Sequence, residues 1–181
     1  MKKFNNILIL AVPRSGSDSF LNSFKKTYTT LHEPFKNCDS IDVAKNLTVQ
    51  ENLVIKSMPD HLPKGSNNRS LQFVSEIIPN FDKVIALDRR DTNLQEQSYL
   101  KLVTYLMGEG NKEIDKQLKH LYRQKYQLRV LAEKYNLDLI FYEDLFYNKQ
   151  TEVLKSLGID KRLLDLSYLN NKNKYKNEKV F

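Results

Sequence analysis

The segment Ile7-Leu8-Ile9-Leu10-Ala11-Val12-Pro13-Arg14-Ser15-Gly16-Ser17 sets the architecture of this chain. Its six consecutive apolar residues are too few to span a membrane. They read as a strand buried on both faces, the pattern of a parallel sheet covered by helices. Pro13 ends the run, and a guanidinium, two hydroxyls and a glycine follow. Gly16 permits the left-handed turn or close backbone approach that such a loop requires. Phe20, Leu21 and Phe24 continue as the apolar side of a helix. The turn of this βα unit offers backbone N–H groups, Ser15, Ser17 and Arg14 to an anion. It is not a Walker A loop, because the pattern G-x-x-x-x-G-K-[ST] is absent. Taken alone, the segment fits an ordinary βα turn with a solvated Arg14 equally well.

Further strand-length apolar runs lie at Leu53–Ile55, Val84–Leu87 and Leu137–Phe141, with a weaker one at Tyr28–Leu31. Helical periodicity separates them, over Ser19–Lys26, Leu71–Ile78, Thr92–Met107 and Glu113–Tyr135. Strands alternating with helices imply an α/β protein of three layers, a central parallel sheet of about five strands flanked by helices. In the longest helix Leu118, Leu121, Tyr122, Leu128, Leu131 and Ala132 form an apolar stripe, and the basic residues around it read as a solvated face. Gly108-Glu109-Gly110-Asn111 breaks the preceding helix, and Asp60–Ser70 reads as an exposed loop.

The 181 residues fit one domain, with 170–181 as a polar basic tail. Hydrophobic residues at 40% and charged residues at 28% are ordinary for a soluble protein. Lys and Arg number 29 against 22 Asp and Glu, a formal charge of +7 that favours anionic partners without choosing among them. The single cysteine, Cys38, excludes a disulfide-stapled secreted domain and reads as a structural or surface thiol. The start Met1-Lys2-Lys3 imitates a signal peptide, but its apolar run is too short and lacks a cleavage site. A cytoplasmic protein without a membrane or nucleic-acid partner is expected, and the oligomeric state is left open.

The second informative segment is Lys83-Val84-Ile85-Ala86-Leu87-Asp88-Arg89-Arg90, with Ser98 eight positions after Arg90. Arg90 can present a bidentate fork to a phosphate, and Ser98 a hydroxyl about two helical turns on. Two such turns at the carboxyl edge of one sheet can hold one ligand by two separate phosphates.

Together these segments resemble the sulfotransferases that use 3′-phosphoadenosine-5′-phosphosulfate (PAPS). In that family a Pro-[Lys/Arg]-Ser-Gly-[Ser/Thr] loop binds the 5′-phosphosulfate, and an Arg with a Ser eight residues later binds the 3′-phosphate. Pro13–Ser17 and Arg90/Ser98 match in type, spacing and order. Asp88-Arg89-Arg90-Asp91 with Gln97-Ser98 is most similar to the bacterial and carbohydrate-type branches, as a small single-domain member. Tyr142-Glu143-Asp144-Leu145 resembles the late Y-E-D-L segment, and Lys155–Ile159 the F-L-G-[IL] stretch after it. The likeness covers about residues 5 to 160, and its fold is the P-loop nucleotide-kinase-like sulfotransferase fold.

The resemblance implies a sulfuryl transfer from PAPS to a hydroxyl acceptor, small molecule or carbohydrate, with an amine as the lesser alternative. Adenosine 3′,5′-bisphosphate (PAP) is the implied product, and no metal is expected. The donor site would comprise Pro13, Arg14, Ser15, Gly16, Ser17, Asp18, Ser19, Arg90 and Ser98. Arg14 would be one cation at the sulfuryl group. Lys56, in Val54-Ile55-Lys56-Ser57, would be a second, against the alternative of a strand-end lysine in solvent. In Leu31-His32-Glu33-Pro34-Phe35, Glu33 leads as the base, as in the bacterial and carbohydrate-type branches, and His32 is second. The histidine of the cytosolic enzymes' K-T-H is replaced by Met58, and His61, three residues later, reads first as a surface-loop residue. Glu143 and Asp144 are assigned to loop support.

Two features depart from the family. Asp18 stands where Ser or Thr is usual, placing a negative charge at the proposed phosphate site; a helix cap, a pair with Arg14, and weak or altered donor binding are the open readings. No basic glycine-containing C-terminal motif is recognisable; Lys172, Lys174 and Lys176 are a substitute clamp or a solubilising tail. Phe35–Glu51, Pro59–Ser70 and Gly108–Asn111 would shape the acceptor site, and Tyr99 and Tyr105 are read as core. Two competing functions are a kinase-like phosphotransferase and a non-catalytic basic module for nucleotides or nucleic acid.

Overall fold

The computed structural model describes residues 4–64, 70–107 and 114–170. Five strands, β1 (Asn6–Ala11), β2 (Thr29–His32), β3 (Leu53–Ser57), β4 (Lys83–Asp88) and β5 (Asp138–Phe141), form one sheet in the order β2-β3-β1-β4-β5. Every neighbouring pair is parallel. The expected α/β architecture is therefore present, and the weak second strand belongs to it.

Strand alternation explains why β1 reads as an unbroken apolar run. Leu8, Leu10 and Val12 enter one core; Ile7, Ile9 and Ala11 enter the other. β3 and β4 divide in the same way, with Leu53, Ile55, Val84 and Ala86 on the first face and Val54, Ile85 and Leu87 on the second. Both faces are thus dry, as a parallel sheet requires.

The first face is covered by α2 (Ile41–Thr48), α3 (Ser70–Ile77) and α5 (Ile114–Lys134), through residues such as Ala44, Phe73, Val74, Leu128 and Leu131. The second is covered by α1 (Ser17–Ser23) and α6 (Gln150–Ser156), through Phe20, Leu21 and Leu154. Helix α4 (Thr92–Met107) lies against α5. α2 lies inside the stretch assigned to acceptor loops. Ser40 caps it by accepting a hydrogen bond from the Val43 N–H at 3.2 Å, a start signal that its β-branched residues obscure.

Several expectations need correction. Tyr105 is 86% exposed, so of the two tyrosines only Tyr99 is core. Tyr122 leaves the apolar stripe of α5 for the surface, where its hydroxyl donates to Glu96. Lys125, read as part of a solvated face, is buried. Of the two readings of Cys38 the structural one fits: it is buried, its thiol directed at the Pro34 carbonyl at 3.4 Å. The glycine break at 108–111, much of the 60–70 loop and the lysine tail from 171 lie outside the described residues. Among the described residues no helix is long and apolar enough to cross a membrane.

Candidate functional site

The chain leaves β1 toward β2 at one edge of the sheet and leaves β4 toward β5 at the other. These connections diverge between the carboxyl ends of β1 and β4, where open α/β sheets bind ligands. A cleft of about 470 Å³ opens there.

The loop after β1 contributes Pro13, Arg14 and Gly16 to its lining, and α1 contributes Ser17, Asp18 and Ser19. Gly16 has φ +76°, and a Cβ there would lie 2.5 Å from the Tyr142 ring and 2.9 Å from Phe146. Only glycine satisfies both constraints. Ser15 is fully buried, and its Oγ has no hydrogen-bond partner among the described residues. Arg14, at φ 63°, donates through Nε to Ser98 Oγ of α4 at 2.7 Å. The Pro13 carbonyl accepts from Gln95 Nε2 at 2.8 Å, and Gln95 Oε1 accepts from Lys125 Nζ at 2.7 Å. Lys125 also pairs with fully buried Asp88 at the end of β4, at 2.9 Å. A buried polar chain from α5 therefore holds the anion loop from below.

His32 and Lys56 are register partners on β2 and β3, and the ladder continues with the Glu33 N–H donating to the Lys56 carbonyl at 2.8 Å. Lys56 shares the face of Val54, two residues before it, so its side chain leaves the sheet on the α1 side. It is buried rather than solvated, and its ammonium is bonded to Glu33 Oε1. Lys56 Nζ also lies 3.2 Å from Asp18 Oδ1 and 3.3 Å from His32 Nε2. Asp18 neither caps α1 nor pairs with Arg14; its Oδ1 meets His32 Nε2 at 2.9 Å.

Glu33 is buried and adopts φ 51°. Its Oε2 accepts from Lys36 Nζ at 2.6 Å, and His61 Nε2 lies 3.8 Å away. Burial alone would raise this carboxyl, but the hydrogen bonds from Lys36 and Lys56 outweigh it and hold the group at about 2. His61 is a mostly buried neighbour of Glu33, not a surface-loop residue. Burial pushes its imidazole below the ordinary value, against the pull of Glu33 and Asp60.

The non-glycine residues with positive φ among the described residues are Arg14, Glu33, Asn52 and Asn136. Asparagine adopts this conformation readily; arginine and glutamate do not. Such outliers concentrate where a side chain must be aimed.

Of the residues singled out from sequence, Ser15 and Arg90 are not in the cleft wall. Arg90 forms a fork on Asp144, at 2.7 and 3.4 Å, and its guanidinium lies 4.6 Å from the Phe141 ring centre. Glu143 accepts from the Arg90 and Asp91 N–H groups at 3.0 and 3.1 Å. The loop-support role expected of Glu143 and Asp144 is present, and Arg90 and Ser98 are not brought together. Arg89 lines the cleft instead, 4.9 Å from the Tyr142 ring centre. Its Nε is buried without a hydrogen bond among the described residues, and Glu143 Oε1 lies 3.8 Å away. Lys36, Met58, Leu102, Leu106, Tyr142 and Tyr147 complete the wall; Met58 and Tyr142 were noted in motifs, but none of the six was assigned to the site from sequence. Lys36 had one available signal, its three-residue spacing from Glu33.

No family model and no curated protein matches the chain.

Proposed function

We propose that this protein is a sulfotransferase that takes PAPS as donor and passes its sulfuryl group to a hydroxyl acceptor. The observation that supports this best is the convergence of Arg14, Lys56, Ser98 and Glu33 on one cleft at the sheet's divergence point. Arg89 Nε, a buried polar atom of the cleft wall without a hydrogen bond among the described residues, suits an anionic ligand. The cytoplasm is the proposed location, consistent with a single cysteine.

In the proposed reaction the acceptor oxygen attacks sulfur in line with the bridging oxygen to the 5′-phosphate. One S–O bond forms and the bridging S–O bond breaks, so PAP leaves with the bonding electrons. The acceptor proton passes to the Glu33 carboxylate. Arg14 and Lys56 stabilise charge on the sulfuryl and departing oxygens, the electrostatic contribution expected to dominate such transfers. Glu33 clamped between two lysines is ionised but weakly basic. Transfer of Lys56 from Glu33 to the leaving oxygen would restore basicity as the reaction begins.

Calorimetric titration with PAP, with 5′-AMP as control, tests the reading. Binding that requires the 3′-phosphate supports it; equal binding of both nucleotides, or of neither, overturns it. Sulfuryl transfer from PAPS would then be assayed against hydroxyl acceptors.

A further inference from the structure

Two carboxylates meet at the Lys56 ammonium, and they are not equivalent. The Glu33 side chain is 6% exposed, has Lys36 as a second cation at 2.6 Å, and belongs to a residue tied by its N–H to the Lys56 carbonyl. Asp18 is 65% exposed, sits in the first turn of α1, and reaches Lys56 at 3.2 Å and His32 at 2.9 Å. Lys56 itself is only 3% exposed, and it lines the cleft together with Asp18 and His32.

We propose that Asp18 is a displaceable counter-anion, a specificity residue whose carboxylate occupies the place on Lys56 and His32 that the oxygens of an anionic ligand take. The inference rests on the reading of this cleft as the donor site. An oxyanion cannot approach Lys56 beside an ionised Asp18 without like-charge repulsion. Of the two carboxylates only Asp18 has water to turn into, so ligand entry drives its rotation out of the cleft. Glu33 stays in place, held by Lys36. Asp18 thereby lowers affinity for every anion and reserves the site for ligands whose other contacts, at Arg14 and the loop, offset its displacement.

The test is calorimetric titration of wild type, Asp18→Asn and Asp18→Ser with inorganic pyrophosphate and with PAP. Asp42→Asn, which removes an exposed first-turn carboxylate of α2 outside the cleft wall, controls for net charge. Removing the Asp18 charge should tighten both ligands about tenfold, the scale of one charge-assisted hydrogen bond, while Asp42→Asn leaves them unchanged. If wild type binds PAP and the Asp18 variants bind it no tighter, the inference is overturned and the donor reading survives. If none of the proteins binds PAP but the Asp18 variants gain pyrophosphate affinity, the donor reading fails, and with it the specificity role for a donor, while Asp18 stands as the counter-anion of an anion site. An equal gain in Asp42→Asn, or no gain with either ligand, overturns the inference.

Discussion

Arg14 Nε donates to Ser98 Oγ at 2.7 Å, joining residues 84 positions apart across the divergence point of the sheet. The bond aims the one guanidinium of the anion loop along the cleft and leaves the rest of its fork for a ligand. Ser98→Ala should weaken PAP binding roughly tenfold with little change in thermal stability. Calorimetry beside a melting curve checks this; unaltered affinity would mean that Arg14 needs no such guide.

Glu33→Gln should lower turnover by about a hundredfold or more while donor affinity changes little, since general bases contribute on that scale. The same side chain has a stability signature. Its carboxyl is depressed from 4.5 to about 2, so the folded state binds that proton less readily than the unfolded one. The resulting stabilisation is fully present above pH 4.5 and is lost as pH falls toward 2. Allowing for screening around the half-exposed Lys36, it amounts to about 2 kcal/mol. Urea unfolding of wild type and Glu33→Gln at pH 6 and pH 3 should show the gap between them narrowing at the lower pH. A constant gap would contradict the assigned cause.

Arg89 and Arg90 are adjacent but face different surroundings, one the cleft and the other Asp144. Arg89→Ala should cost ten- to hundredfold in PAP affinity, of the order expected for a charged hydrogen-bonding partner. Arg90→Ala should cost about threefold or less, because an exposed pair contributes little. The reverse order in parallel titrations would show that Arg90 leaves Asp144 to hold the 3′-phosphate.

Lys125→Met should destabilise the fold by about 3–5 kcal/mol, because buried Asp88 would lose its nearer cation and keep the Arg89 N–H at 2.7 Å and Arg129 at 3.8 Å. It should also weaken donor binding by loosening Gln95 beneath Pro13. Adding Asp88→Asn should recover part of the stability but not the binding. Chemical denaturation with an unchanged slope reads the first effect, and calorimetry the second. Full recovery of both would remove Lys125 from any positioning role.

The layered fold was legible because β1, β3 and β4 are apolar on both faces, which only a sheet covered on two sides tolerates. The anion loop was legible because a strand, a glycine turn and a helix must be consecutive in the chain. β2 was faint, since its four residues are partly exposed. α2 was missed because a capping serine and β-branched residues give conflicting local signals. Choosing Arg90 over Arg89 shows a different limit: spacing to Ser98 says how far apart two residues are along the chain. Which neighbouring arginine enters the cleft depends on Asp144 and Glu143, which arrive from beyond β5.

Local sequence thus determined what short-range sterics and periodicity can encode, namely the strands, the turn at Gly16 and the chemical types gathered near it. Only tertiary structure decided how those charges are shared. Lys56 became a buried hub because parallel pairing sets it beside His32 and Glu33, and α1 brings Asp18 to the same ammonium. Whether each carboxylate is locked or free to move depends on solvent exposure and on second partners, and both arise only when distant segments pack together.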